Sequence, residues 1–105
     1  SEINKREEGF EKKFALESAE FKAEARRNRL LGLWAAEKLG ISGDAATAYA
    51  KEVVAADFEE AGDADVLRKV MGDFAAKNVA VTEQAIRAKM SELIAVAAAE
   101  VKAGK

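Results

Sequence analysis

Proline is absent from all 105 residues. An alanine-rich chain with no proline has helix as its default state. Its folding is therefore governed by the few places where a helix must stop. Three such places stand out. Gly40-Ile41-Ser42-Gly43-Asp44 follows an apolar stretch, with Gly40 suited to a left-handed helix end and Ser42 to an N-cap. Gly62-Asp63 offers Asp63 as an N-cap, with Asp65 in the first turn after it. Asn78 suits a second left-handed end, and Thr82 an N-cap flanked by Val81 and Ile86 at the two staple positions.

These breaks predict four helices, roughly 19–39, 43–60, 64–77 and 83–103. Each carries an apolar face at helical spacing: Ala46, Tyr49, Ala50, Val53 and Ala56 on the second; Leu67, Val70, Met71 and Phe74 on the third; Ile86, Met90, Leu93, Ala97 and Val101 on the fourth. The first is apolar nearly all round from Leu30 to Leu39, which predicts a central helix, and Gly32 within it predicts a close helix approach. Short connections make neighbours antiparallel. The expected fold is all-α, a compact four-helix bundle over residues 19–105.

Residues 1–18 form a separate unit. Their charged residues surround Ile3, Phe10 and Phe14, which with Phe21 fall within about 40° of one another on a helix. So narrow a stripe does not offset the cost of ordering the segment. The expectation is an N-terminal arm that is mobile, partly helical or frayed when free, and that orders in a partner's groove. The residues by themselves leave open a second reading, in which the stripe docks on the bundle or simply begins the first helix.

Composition narrows the function. The chain has no His and no Cys. It therefore lacks the usual neutral-pH base, a thiolate nucleophile and a disulfide framework, and this points away from an enzyme. No metal site is expected: Phe58-Glu59-Glu60-Ala61-Gly62-Asp63-Ala64-Asp65 lacks the alternation and closing Glu of a calcium loop. Gly40-Ile41-Ser42-Gly43 lacks the Lys-Ser/Thr of a phosphate loop. No apolar run approaches the roughly 20 residues that span a bilayer. The net charge of −2 argues against nucleic acid. Charge is nonetheless blocked along the chain. Lys22, Arg26 and Arg29 share one helical face, and from 41 to 65 Lys51 is the sole cation among seven carboxylates. The basic face suits either phosphate oxygens or ion pairs with the acidic block.

The segment Phe21-Lys22-Ala23-Glu24-Ala25-Arg26-Arg27-Asn28-Arg29-Leu30-Leu31-Gly32-Leu33-Trp34-Ala35-Ala36 resembles the ζ subunit of alphaproteobacterial ATP synthases. So do Arg6-Glu7, Phe10-Glu11, Lys13-Phe14-Ala15, Tyr49-Ala50-Lys51-Glu52-Val53-Val54, Asp57-Phe58-Glu59-Glu60 and Ile86-Arg87-Ala88-Lys89-Met90. The resemblance implies a four-helix bundle with a mobile arm that inhibits ATP hydrolysis. The arm would enter an α/β catalytic interface of the F1 sector and block rotation of γ, with Ile3, Arg6, Phe10, Lys13, Phe14 and Phe21 as contacts. The implied partners are the F1 α, β and γ subunits. The implied location is cytoplasmic, peripheral on the inner membrane, and the free chain is expected to be a monomer. No cofactor is required. ADP or ATP is implied as a regulatory ligand, with Lys22, Arg26 and Arg29 as its phosphate contacts, and an adenine-nucleotide-sensing module without inhibition is the alternative function. The sequence departs from the family pattern in having one residue fewer before Phe21, which would turn a continuous helical arm by about 100°.

Overall fold

The structure, a computed structural model, describes residues 19–57 and 63–104. These form four helices: α1 Ala19–Leu39, α2 Gly43–Ala56, α3 Ala64–Ala76 and α4 Glu83–Lys102. No strand occurs among them. The second helix gives way to a turn at Asp57 rather than running on to 60, and residues 58–60 lie outside the described residues. The third and fourth end one residue short of the expected positions.

The helix ends follow from backbone chemistry. Gly40 has φ +77, and its own amide and that of Ile41 donate to the Glu37 and Ala36 carbonyls at 3.2 and 2.8 Å. Asn78, with φ +58, repeats the motif on α3: Asn78 and Val79 donate to Ala75 and Phe74 at 3.1 and 2.8 Å. Both are left-handed caps that satisfy orphan carbonyls, and the apolar residue after each, Ile41 and Val79, packs onto the core. Thr82 caps α4 by accepting from the Ala85 amide at 3.1 Å.

Two expected caps differ. Ser42 has extended backbone but makes no side-chain cap bond. Gly43, which follows it, has φ +61, so the helix opens on a left-handed residue. Asp63 also makes no side-chain cap bond, because its carboxylate accepts from Arg27 instead. A charge-assisted bond outcompetes a neutral amide donor.

Helix α1 is central, packing along α2 and α4 and touching α3. Its Leu31, Ala35 and Ala36 are buried against Tyr49 and Val53 of α2, Val66, Val70 and Phe74 of α3, and Ile86 and Met90 of α4. Trp34 meets Phe74 edge-on, ring centroids 5.9 Å apart. Gly32 sets the α1–α2 spacing: a Cβ there would lie 2.6 Å from Ala50 Cα, well inside contact distance. The α2–α3 contact is clasped by Tyr49, whose hydroxyl donates to Asp73 Oδ2 at 2.7 Å, while Lys69 reaches both Asp73 and the Tyr49 ring. Burial and the Asp73 carboxylate raise the Tyr49 phenol far above its ordinary range, so it stays a donor.

Candidate functional site

Helix α1 carries two polar neighbourhoods on opposite sides. On the outward side, Lys22, Arg26, Arg29 and Leu33 fall within about 60° of one another at 100° per residue. The three sequence-predicted cations do converge. With Phe21, Ala25, Val54 of α2, and Val101 and Gly104 at the end of α4, they line an open groove of about 690 Å³. Phe21, assigned on sequence to the arm's stripe, is half-buried in the first turn of α1 and lines this same groove. Arg26 pairs with Glu100 of α4 at 3.4 Å, whereas Lys22 and Arg29 are exposed. Glu59 and Glu60 of the acidic block lie outside the described residues. Glu100 places a carboxylate at the groove's edge and takes up one of the three cations. That makes the groove a poor cradle for a compact anion and leaves it suited to a longer, more distributed contact.

On the inward side, Arg27 and Asn28 are buried, 4% and 0% exposed, within a run that reads as a solvent-facing basic cluster. Arg27 Nε donates to Asn28 Oδ1 at 3.0 Å, and its Nη2 donates to Asp63 Oδ1 at 2.8 Å. The junction between α2 and α3 thereby closes onto α1. Burial raises the pKa of the Asp57 carboxyl; the Asn28 amide and the Arg27 guanidinium pull it down, and Asp63 and Asp65 add to the rise. Asp65, also buried, accepts from Arg68 at 3.3 Å through Oδ1. Its Oδ2 and Asn28 Nδ2 have no hydrogen-bond partner of full strength among the described residues.

Sequence reasoning missed this knot, although a signal was present. Ala23, Arg27, Leu31 and Ala35 recur every four residues and belong to one face, so the stripe that buries Leu31 also buries Arg27. Of the predicted arm contacts, Ile3, Arg6, Phe10, Lys13 and Phe14 lie outside the described residues. Among the described residues no helix is long and apolar enough to cross a membrane, and no group of three or more acidic, His or Cys side chains is placed to hold a metal ion.

The described residues thus form a small helical bundle with an open, cation-lined groove along its first helix. A family model described as ATPase inhibitor subunit zeta matches residues 1–100, and the chain belongs to that family. The family is one of regulatory inhibitor subunits associated with ATP synthase or ATPase. A solved structure described as a solution NMR structure of the protein is 57% identical, spans 84% of this chain and 100% of its own, and superposes with a TM-score of 0.74. No curated protein sequence matches the chain.

Proposed function

We propose that the chain inhibits ATP hydrolysis by the F1 sector by inserting residues 1–18 as a helix at an α/β catalytic interface, where they obstruct rotation of γ. One observation carries this reading: the family match begins at residue 1 and so takes in the segment that bears the aromatic stripe. Residues Ala23 to Ala97 supply a core of their own, and residues 1–18 carry the Ile3, Phe10, Phe14 stripe. An amphipathic segment with narrow aromatic anchors suits a groove in a partner, where burial supplies what the isolated segment lacks. Phe10 and Phe14, one turn apart, are the central anchors; Arg6 and Lys13 flank them for carboxylates at the groove's rim.

The test is an ATP hydrolysis assay on the cognate F1 sector with full-length chain, with a chain lacking residues 1–18, and with Phe10→Ala/Phe14→Ala. The truncated chain should lose inhibition, and the double substitution should weaken it at least tenfold with helix content and melting temperature unchanged. Undiminished inhibition by the truncated chain would remove the arm from the mechanism.

A further inference from the structure

We infer that the outward groove of α1 is a second docking surface, and that its occupant is a helix of the partner ATPase bearing carboxylates at one end and aliphatic side chains at the other. This rests on the inhibitory reading only for the partner's identity.

Two independent observations coincide on one strip. The first is charge: Lys22, Arg26 and Arg29 line the groove, and Lys22 and Arg29 are exposed with their charge uncommitted among the described residues. The second is apolar exposure. Leu33 and Val96 are the large hydrophobic side chains left exposed among the described residues, at 39% and 42%. Single exposed apolar residues are ordinary, but these two belong together. The contacts Arg26–Glu100 and Trp34–Lys89 show that α1 and α4 run antiparallel side by side. Val96 lies one turn from Glu100 on α4, and Leu33 two turns from Arg26 on α1; neither lines the groove itself, and the antiparallel packing carries both beyond it in the same direction, away from Ala19. Their positions along the helix axes differ by only about 5 Å at 1.5 Å rise per residue.

The strip from Lys22 to Leu33 is about 16 Å long, three helical turns. It is cationic at the end nearest Ala19, where the arm joins the bundle, and apolar at the other. A nucleotide's phosphates would cover the cationic end and leave Leu33 and Val96 in water. A three-turn helix with carboxylates toward the arm's root and Leu or Val beyond them covers both ends. Charge on such a rim steers association, and the apolar end holds the complex together.

The experiment measures binding of the full-length chain to the isolated F1 sector by surface plasmon resonance at low and moderate salt, for wild type, Lys22→Glu/Arg29→Glu and Leu33→Ser. The charge reversal should weaken binding at least tenfold, mainly through slower association, and should flatten its salt dependence. Leu33→Ser should speed dissociation severalfold and leave the salt dependence alone. Melting temperatures should match wild type, and inhibition at saturating protein should be retained. Affinities within twofold of wild type for both variants overturn the proposal. So does a nucleotide-induced amide shift at Lys22, Arg26 and Arg29 that the reversal abolishes while F1 affinity stays unchanged, because the groove is then an anion site. A free wild-type dimer that Leu33→Ser dissolves, with F1 affinity unchanged, overturns it too. Salt-dependent binding without inhibition removes the arm's role and keeps the groove; inhibition with unaltered affinity of the groove variants does the reverse.

Discussion

Arg26 and Arg27 are adjacent in the chain, yet one lies at the edge of a groove paired with a half-exposed glutamate, and the other is sealed under the α2–α3 junction. On the outward face of α1 the exposed Lys22 and Arg29 are already solvated by water, so removing either changes stability little. The inward face holds a guanidinium whose Nε and Nη2 donate to Asn28 and Asp63 and whose charge acts on Asp57 as well. Removing that charge leaves buried acceptors and carboxylates without compensation. Stability therefore resides on one side of α1, and the surface free to evolve toward a partner resides on the other.

The largest test of that contrast is Arg27→Ala against Arg26→Ala. Arg27→Ala should cost about 3 kcal/mol, near the lower limit for breaking a buried pair because Asp63 is itself half-exposed. It should lower the melting temperature by more than about 10 °C in a domain of this size. Arg26→Ala should cost about 1 kcal/mol, the upper end for a surface pair, because its side chain is 23% exposed and its partner Glu100 36%. Equal losses by thermal denaturation would break the distinction between the two faces.

Next in size is Gly32→Ala, also on the inward side. The added methyl meets Ala50 Cα, which is backbone and cannot rotate aside, so α1 and α2 must separate. About 2 kcal/mol of destabilisation is expected from overpacking, read by urea unfolding, despite alanine's better helix propensity. A stabilised variant would show that the α1–α2 spacing is soft.

Asp57→Asn sharpens the comparison by acting on the knot's carboxylate side. Because the folded pKa of Asp57 is raised, the folded state binds its proton more tightly than the unfolded state. Stability from this group is therefore gained as pH falls through the folded pKa, and its ionised form is a liability near pH 7. A carboxylate just past the C-terminus of α2 is also opposed by the helix dipole. Asp57→Asn should raise the melting temperature modestly at pH 7, and the advantage should shrink as pH approaches 4. A variant less stable than wild type at pH 7 would mean that the attraction of Arg27 for Asp57 outweighs its burial.

The smallest expected effect is on the outward face. Arg29→Ala and Leu33→Ser should each shift stability by no more than about 0.5 kcal/mol. A larger loss at either position would assign the outward strip to the fold rather than to binding.

Much of the bundle was legible because it depends on local chemistry. Gly40, Asn78 and Thr82 act through their own backbone and nearest amides, so their identities foretell where α1, α3 and α4 begin or end. The stripe Leu67, Val70, Met71, Phe74 foretells a buried face for the same reason. The convergence of Lys22, Arg26 and Arg29 was equally legible, being set by the helical repeat. The burial of Arg27 was not foreseen, because a run of Lys, Glu and Arg says solvent by residue type, while the register with Ala23 and Leu31 says core.

By itself, then, the sequence determined that the chain is helical, where its helices are punctuated, and that an aromatic-striped segment precedes the bundle, since all of these rest on interactions within a few residues. Only the tertiary structure decided which side of α1 is sealed, that Asp63 serves Arg27 instead of its own helix, and that Val54 and Val101 turn a basic face into a groove. Those outcomes join residues 25 to 80 positions apart. They follow from competition among donors, acceptors and apolar surface that meet only once the helices have packed.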